Sequence, residues 1–539
     1  MSIFIHHYPL KIVIHNIFFI HYRGHFIPFL IFCQPAENYV FWNKNAIIYI
    51  KYCLSFSIQL SSCEYWSIRY YIFIERKKDK VHSIYQHPRL LLINPWIVDF
   101  TAYDFWSKPL GLLYIASLLR QSGYQIDYID CMDRYDSELL KTQNRTFPET
   151  DQDGMGPFYK VNIPKPKILR HIPRNFNCYG IPEEIFYKKI KRIRKPDAIL
   201  VTSIMSYWYP GVFRVIELVK KYFPGCPVIL GGIYATLCYQ HAVDFSGAEY
   251  IINHFKISHL VDLLNNITGV QRKQILLNND FQHLDCYPYP AWDLYPNLDY
   301  ICLITGQGCP FRCSYCASYL LNPDLEFRNP HHIIEEIVHW KEKKGINHFI
   351  FYDDALLVDA RQHFIPTMKE LKKQNISINF YTPNALHAGL VTQLIAQLMI
   401  ENGFKRIWLG FETADYELQK KTGAKIDNQT FKKAVDILFK AGFSNKQIRA
   451  YILIGLPGQS FKSVIDSINF VTGTGVKPYL AKFSPIPGTI IWNQAMKEYG
   501  WQKSVDPLWH NDALMPYHSS FINHQQYQQI KMMIQHLKL

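Results

Sequence analysis

No stretch of the chain is long and apolar enough to cross a membrane, because charges and histidines interrupt every apolar run. The chain also lacks a basic segment followed by an apolar segment and a small-residue cleavage site, so we expect no signal peptide. Most of its 12 cysteines are scattered singly, which argues against a disulfide scaffold and for a reducing compartment. These absences, with a length of 539 residues, predict a cytoplasmic protein of two or three domains.

Glycine and alanine are nearly absent from the first eighty residues, where Gly24 is the only glycine. Apolar residues there follow neither the period of a helix nor that of a strand. Residues 1–84 are therefore predicted to be an atypical extension, and two interpretations of it stay open. It is either upstream DNA of an AT-rich genome, translated because the start codon is assigned too early, or a divergent hydrophobic extension that associates with a membrane.

The net charge of +14 does not by itself indicate nucleic-acid binding. Lysines and arginines occur in short groups such as Arg76-Lys77-Lys78, and groups of this kind are usually solvated surface. The C-terminal part contains no recognisable RNA-binding module. We therefore expect a small-molecule or peptide substrate and no nucleic-acid partner.

Three cysteines, Cys309, Cys313 and Cys316, stand within eight residues. Thiolates at this spacing on one loop can hold three irons of a [4Fe–4S] cluster and leave the fourth iron without a protein ligand. An iron with an open position can bind and activate a small molecule. The other interpretation, half of a zinc site, needs a fourth Cys or His nearby, and no CxxC or HxxxH follows within forty residues.

With Tyr315 before the last of these cysteines, the motif resembles CxxxCxΦC, the signature of the radical S-adenosylmethionine (SAM) superfamily, in which Φ is aromatic. The resemblance implies that the free iron chelates the amino and carboxylate groups of SAM. It also implies that one electron splits the sulfonium and releases a 5′-deoxyadenosyl radical. The electron would come from a donor such as flavodoxin or ferredoxin.

Strands and helices alternate between residues 85 and 270. The pattern predicts strands at 90–94, 125–130, 197–203, 227–233 and 249–253, with helices at 109–122, 209–222 and 258–266. This alternation is typical of a doubly wound, Rossmann-like α/β domain, whose ligands bind at the carboxyl ends of the parallel strands. Ser203 follows the third strand and Gly231-Gly232 the fourth, where glycines let the backbone approach a bulky ligand.

The same domain resembles the cobalamin-binding domain of one branch of the superfamily, through Leu91-Leu92-Ile93-Asn94-Pro95, Lys108-Pro109-Leu110-Gly111-Leu112, Ser203 and Gly231-Gly232. Cobalamin domains with a DxHxxG motif supply a histidine ligand to cobalt after the first strand, but loop 96–108 contains no histidine. Either cobalamin is bound without a protein imidazole, or the fold persists without cobalamin. An insertion at 132–182 is longer than an ordinary connection and is either a functional lid or a disordered excursion.

A proline-rich linker at 271–299 leads to a second α/β domain at 300–490, and a C-terminal tail follows at 491–539. Six strands are predicted in this domain, at 300–305, 348–353, 377–382, 406–411, 448–454 and 479–484. Each precedes a predicted helix or the tail, which indicates a partial, TIM-like (β/α)6 barrel with its chemistry in the loops after the strands. The cysteine motif follows the first strand, so the motif and the fold place the site at the same end.

Other loops at that end resemble SAM-contacting segments of the superfamily. Asp354 ends the second strand, Glu412 the fourth and Gly455 the fifth, and the resemblance implies that each contacts SAM together with Tyr315. The Gly455 segment departs from the family pattern, because Gly458 stands where glutamate is expected. Taken singly, residues of these types are as often turn or cap residues.

The sequence thus predicts a radical SAM enzyme that cleaves SAM reductively at a [4Fe–4S] cluster. With cobalamin bound, methyl transfer to an unactivated carbon would follow; without it, hydrogen abstraction would lead to rearrangement or oxidation. The alternative is a non-catalytic iron–sulfur protein for electron transfer or redox sensing. That alternative needs a fourth cluster ligand, for which Cys302 is the nearest candidate in the chain.

Overall fold

A computed structural model describes residues 87–253, 257–269, 283–501, 505–519 and 521–537, together with the backbone of five strands between residues 17 and 76. The chain divides into two compact units, 1–86 and 87–539. The first is an antiparallel sheet in the sequential order β1 (Ile17–Tyr22), β2 (His25–Phe32), β3 (Asn38–Asn43), β4 (Ala46–Lys51) and β5 (Tyr71–Arg76). The apolar pattern did not predict these strands. The remainder of this unit and all its side chains lie outside the described residues, so both interpretations of residues 1–84 stay open.

The second unit begins with the predicted doubly wound domain. Its strands are β6 (Arg89–Asn94), β7 (Ile97–Asp99), β8 (Tyr103–Asp104), β9 (Gln125–Asp130), β10 (Gly156–Pro157), β11 (Lys160–Ile163), β12 (Phe176–Tyr179), β13 (Ala198–Val201), β14 (Val228–Leu230) and β15 (Tyr250–Ile251). Its helices span Leu110–Gln121, Ser137–Thr142, Glu183–Lys191, Tyr209–Tyr222, Ile233–Leu237, Tyr239–Phe245 and Ile257–Thr268.

Five of these strands form a parallel sheet in the order β15-β14-β13-β6-β9. Both faces of the interior strand β6 are covered, because Leu91 and Ile93 belong to one apolar core and Leu90 and Leu92 to another. All four side chains are fully buried. A strand covered on both faces needs apolar residues at every position, which is why this segment reads as a continuous apolar run. The predicted Rossmann-like fold is confirmed.

The insertion at 132–182 is folded. Its strand β12 pairs with β11 on one side and with β7 on the other, in a three-stranded antiparallel sheet. Leu169, Ile172 and Phe176 are buried, and they pack with Leu508 and Leu514 of the C-terminal tail. The interpretation of the insertion as a disordered excursion is therefore wrong. Its own sequence did not indicate order, because the apolar residues that stabilise it come from a segment more than three hundred residues away in the chain.

The barrel domain has the strands β16 (Ile301–Leu303), β17 (Gly306–Gln307), β18 (Glu326–Phe327), β19 (His348–Phe351), β20 (Asn379–His387), β21 (Phe404–Glu412), β22 (Ile448–Ile454) and β23 (Lys477–Lys482). The helices of the barrel and the tail span Ser318–Leu321, Pro330–Lys344, Phe364–Lys373, Gln393–Glu401, Tyr416–Lys421, Asn428–Lys440, Phe461–Gly473, Trp492–Glu498, Met515–His518 and His524–Gln535. Six strands form one parallel sheet in the order β16-β19-β20-β21-β22-β23, which confirms the partial (β/α)6 barrel. None of the helices in the described residues is long and apolar enough to span a bilayer.

The doubly wound domain and the barrel share buried contacts within the second unit. Trp106, from the loop before helix Leu110–Gln121, is fully buried with its ring 4.7 Å from that of Tyr381 in the barrel. Arg134 of the insertion pairs with Asp104 at 2.9 Å and with Asp299 at 3.2 Å. Of the predicted linker 271–299, residues 271–282 lie outside the described residues, while Trp292 is buried in the barrel core.

Candidate functional site

The cysteine loop follows β16 and begins in a short antiparallel pair formed by β17 and β18. Gly308 has φ +80°, and a Cβ at this position would overlap the backbone carbonyl of Asp324, so the turn into the loop requires glycine. Cys313 is 8% exposed, and Cys309 and Cys316 are partly exposed. The loop therefore presents its thiols at the carboxyl end of the barrel, where the sequence predicted them.

Two distant segments, one in the barrel and one at the start of the tail, support the backbone of this loop. The Ser314 N–H donates to the Thr422 carbonyl at 3.1 Å, and the Ile491 N–H donates to the Ser314 carbonyl at 2.9 Å. Gly423 packs directly behind the loop at φ +119°, where a Cβ would lie only 3.1 Å from the Cα of Cys313. The positions of the cysteines thus depend on contacts more than a hundred residues away in the chain.

Tyr315 and Glu412, both predicted from the sequence, lie together. The Tyr315 hydroxyl donates to Glu412 Oε1 at 2.8 Å, and Lys425 Nζ lies 3.8 Å from the same oxygen. Glu412 has φ +67°, a left-handed conformation that is unfavourable for a residue with a side chain and is held here by its surroundings. Gly410 leaves room for this pair, since a Cβ there would lie 2.9 Å from Lys425 Nζ.

Lys425 is a functional candidate that the sequence reasoning missed, and a single lysine after Gly423-Ala424 carries no local signal. Burial lowers its pKa, but the Glu412 carboxylate and the thiols of the cysteine loop raise it, and the net change is upward. Burial also raises the pKa of the Cys313 thiol to about 11, with Lys425 acting against that increase. The amino group therefore stays charged and favours thiolates at this loop.

This donor set fits a [4Fe–4S] cluster. A cluster takes one thiolate for each of three irons, and Lys425 supplies a positive charge beside three thiols that must ionise. Among the described residues, no three His, Cys, Asp or Glu side chains converge in the geometry of a single metal ion. Cys302 does not join the three, because its buried thiol lies 3.7 Å from the Trp106 carbonyl.

The two adjacent aspartates after β19 have different surroundings. Asp353 is buried and accepts hydrogen bonds from the Thr305 N–H at 3.0 Å and the Thr305 hydroxyl at 2.6 Å, so it holds the start of the cysteine loop. Burial raises the pKa of Asp353 to about 7. The predicted residue Asp354 instead accepts from the Ser318 hydroxyl at 2.9 Å, and the Ser318 N–H points to Cys316 Sγ at 3.5 Å. Asp354 therefore lies next to the cysteine loop.

Gly455 directly follows β22 and has φ +93°, and its N–H donates to Gln459 Oε1 at 2.8 Å. The Gln459 side chain also donates to the Leu453 carbonyl at 2.9 Å, so it stabilises the turn. Gln459 stands one position after Gly458, where the family pattern has glutamate. A Cβ at Gly455 would overlap the side chain of Met515 from the tail. The sequence reasoning missed both Gln459 and Met515, and only Gln459 carried a signal, as a polar residue beside the family pattern.

At the carboxyl edge of the other sheet, Ser203 lies beside Gly231 and Gly232, and these residues follow β13 and β14. The Ser203 hydroxyl donates to the Gly231 carbonyl at 2.7 Å. A Cβ at Gly232, which has φ +91°, would overlap the Ser203 backbone, whereas a Cβ at Gly231 would meet nothing within 4 Å. Helix Ile233–Leu237 at this edge contacts helix Ser318–Leu321, which follows the cysteine loop.

One histidine reaches this edge from the tail. His510 Nδ1 lies 3.1 Å from the Ser206 hydroxyl, and burial lowers the pKa of His510 to about 3, so the imidazole is neutral. The loop at 96–108 contains no histidine. The open space at Gly231, the hydroxyl of Ser203 and the absence of a DxHxxG histidine fit a cobalamin that receives no imidazole from that loop.

Residues 303–471 match the family model described as the Radical SAM superfamily. An uncharacterized methyltransferase of Pyrococcus horikoshii is 23% identical over 374 residues, which cover 61% of this chain and 78% of that protein. The cytidylyl-2-hydroxyethylphosphonate methyltransferase of Streptomyces wedmorensis is 20% identical over 491 residues, or 78% of this chain and 83% of that protein.

Two solved structures share the arrangement of the fold. The radical SAM methyltransferase TsrM from Kitasatospora setae, solved with cobalamin and a [4Fe–4S] cluster, matches with a TM-score of 0.56 and 13% identity over 81% of this chain and 87% of that chain. The cobalamin-dependent SAM radical enzyme OxsB, solved with aqua-cobalamin, matches with a TM-score of 0.51 and 11% identity over 92% of this chain and 66% of that chain. At these identities the likeness concerns the fold.

Proposed function

We propose that this chain, which contains a radical SAM domain at 303–471, is an enzyme that holds a [4Fe–4S] cluster through Cys309, Cys313 and Cys316. Its reaction starts with the reductive cleavage of SAM. The observation that carries this proposal is that Lys425 interacts electrostatically with all three thiols of the loop after the first barrel strand. Active sites of barrels lie at that end, because the loops after the strands are free to carry reacting groups.

The residues around the cysteines have different roles in binding the cluster and SAM. When bound, the cluster supplies the electron that breaks the sulfonium bond of SAM. Lys425 and Glu412 place one positive and one negative group beside the cluster, suited to the charged ends of an amino acid. Tyr315 and Asp354 hold the loop around them through their hydrogen bonds. At Gly455 the side chain of Met515 fills the space on the Cβ side, so we assign the flat base of SAM to the remaining backbone of this turn.

Methyl transfer is the favoured outcome after SAM cleavage, with a cobalamin as the methyl carrier at Ser203, Gly231 and Gly232. Three observations support it: the absence of any atom within 4 Å of a Cβ added at Gly231, the contact between that edge and the helix after the cysteine loop, and the methyltransferase names of the two relatives. If no cobalamin binds, hydrogen abstraction leading to rearrangement or oxidation takes its place. The substrate is a small molecule or a peptide.

A reducing environment and an electron donor are part of the proposal. The described cysteines, nine in number, are all free thiols, as in proteins of a reducing compartment. We therefore place the enzyme in the cytoplasm, where flavodoxin or ferredoxin can deliver single electrons. Nucleic acid is not among the expected partners.

The decisive test is an anaerobic assay of the reconstituted protein with SAM and dithionite. We expect 5′-deoxyadenosine from the wild type and none from Cys313→Ala. An intact cluster without any 5′-deoxyadenosine, in the presence of candidate substrates, would favour the non-catalytic iron–sulfur alternative. Cys302→Ala provides the control, because a chain that used Cys302 as a fourth ligand would lose its cluster in this variant.

A separate experiment tests the cobalamin site. Gly231→Leu adds a side chain in open space and should leave the fold unchanged while it prevents the binding of hydroxocobalamin, measured by gel filtration and absorption. Gly473→Leu is the matched control, because Gly473 also meets nothing within 4 Å but lies in a helix of the barrel. Equal cobalamin binding by both variants would contradict the assignment of this edge.

A further inference from the structure

A backbone segment at Thr422 and Gly423 lies between the cysteine loop and the solvent. Gly423 is exposed to solvent, yet a Cβ at this residue would lie 3.1 Å from Cys313 Cα and 3.4 Å from the Arg312 carbonyl. The adjacent Thr422 carbonyl accepts the Ser314 N–H on the same side. A protein bound over Gly423 is therefore separated from the cysteine loop by one layer of main chain.

The side chains around this point are basic, aromatic or apolar, and all of them are exposed except Tyr319, which is partly exposed. We define the cluster-side patch as Arg312, Tyr319, Tyr416, Lys420, Lys421 and Ile490. The Arg312 guanidinium lies 5.2 Å from the centre of the Tyr319 ring, and Lys420 Nζ lies 4.1 Å from the centre of the Tyr416 ring. Tyr416 and Ile490 are 62% and 63% exposed. Arginine and large aromatic side chains are enriched at protein interfaces, because they combine apolar contact with directed polar bonds.

The charge of the cluster-side patch is positive. Its cations are Arg312, Lys420 and Lys421. The acids beside them in the chain are Glu417, which lies 3.8 Å from Lys420, and Asp415, whose carboxylate accepts from the N–H groups of Glu417 and Leu418. Behind the patch, the charged Lys425 adds to the positive potential that Glu412 partly cancels. A partner that fits this surface carries acidic side chains at its rim.

We propose that the cluster-side patch docks an acidic protein that delivers one electron to the cluster, an inference that rests on the proposed function. The donor is oxidised by one electron and the cluster is reduced by the same electron, so no further reactant is required. Docking of this kind depends on charge, because complementary potentials raise the association rate and salt screens them.

The experiment compares two electron donors on the reconstituted full-length enzyme. Reduced flavodoxin is the acidic protein donor, and reduced methyl viologen is a small cation that needs no docking surface. In Lys420→Glu/Lys421→Glu we expect flavodoxin-driven formation of 5′-deoxyadenosine to fall about tenfold or more at low salt, with the viologen-driven rate unchanged. The matched control is Lys440→Glu/Lys446→Glu, which changes two exposed lysines near the amino end of β22 and should leave both rates unchanged.

Several outcomes would overturn the proposal. An unchanged flavodoxin-driven rate in the patch variant, or an equal loss in the control, would show that the patch has no special role. On the wild type, a flavodoxin-driven rate that does not fall between about 50 and 300 mM salt would exclude electrostatic docking. Loss of tRNA binding by the patch variant, with its flavodoxin-driven rate intact, would identify a nucleic-acid surface instead.

Failure of the proposed function would give a different result. In that case the wild type forms no 5′-deoxyadenosine even with reduced methyl viologen. The docking surface is then tested by direct binding of flavodoxin to the wild type and to Lys420→Glu/Lys421→Glu, measured by isothermal titration calorimetry. Weaker binding by the variant alone supports the docking surface, and equal binding by both overturns it.

Discussion

Replacing Lys425 by methionine should make the thiols of the cysteine loop harder to ionise, and this can be measured without cluster or SAM. Burial raises the pKa of the Cys313 thiol to about 11, and the charged Lys425 acts against that increase. The same two influences act on Cys309, whose pKa is also raised. Lys425→Met keeps most of the side-chain volume and removes the positive charge. The pKa of both thiols should therefore rise further.

The expected size of this change follows from the contacts of Lys425. An opposite charge a few ångströms away shifts a pKa by about 1–3 units. Because Glu412 Oε1 lies 3.8 Å from Lys425 Nζ and cancels part of its charge, we take the lower limit. One unit corresponds to about 1.4 kcal/mol and to a tenfold lower thiolate fraction. Glu412→Gln should have the opposite effect, because the Glu412 carboxylate raises the pKa of Cys313.

The assay is alkylation of the apoprotein by iodoacetamide between about pH 7 and 10, since the thiolate is the reactive form. Mass spectrometry of the peptide that contains Cys309 and Cys313 gives the rate at each pH. Lys433→Met is the control, because it removes an exposed lysine from helix Asn428–Lys440. Alkylation profiles that coincide for Lys425→Met, the control and the wild type would refute the electrostatic role of Lys425.

Three further predictions concern the support of the cysteine loop. Gly423→Ala should lower the iron and sulfide content after reconstitution, because alanine at φ +119° is strained and its methyl group would press on Cys313; full occupancy would contradict this contact. Tyr315→Phe removes the 2.8 Å hydrogen bond to Glu412 at constant ring size, so the apoprotein should lose about 1–3 kcal/mol and melt earlier; an unchanged melting temperature would argue against the bond. Asp353→Asn should change the pH dependence of unfolding by urea. Because burial raises the pKa of Asp353 from 3.8 to about 7, the folded protein keeps a proton that the unfolded chain releases, and stability from this group is lost as pH rises from about 4 to 7. Between about pH 4 and 7, the free energy of unfolding of the wild type should therefore fall by up to about 1.4 kcal/mol per pH unit more than that of the variant. Equal pH dependence of the free energy of unfolding in both proteins would disprove this role of Asp353.

Local sequence was sufficient for the features that depend on neighbours in the chain. The spacing of Cys309, Cys313 and Cys316 places three thiols on one loop whatever the rest of the protein does. The apolar runs and their intervening helices predicted both parallel sheets, and all eleven strands of these sheets are confirmed within a few residues. Tyr315 and Glu412, which the sequence named separately, are in contact, and so are Ser203 and Gly231, because strand ends of a parallel sheet meet at one edge.

Tertiary structure alone decided which distant residues complete the site. Lys425 reaches the thiols only because the chain after β21 folds back over the cysteine loop, and Met515 reaches Gly455 only through the tail. The insertion is ordered by apolar contacts with the tail, which its own composition did not reveal. Cys302 is close to the cysteines in sequence, yet its thiol lies against Trp106. In each case the contact joins segments far apart in the chain, and a pattern read within one segment contains no information about its partner.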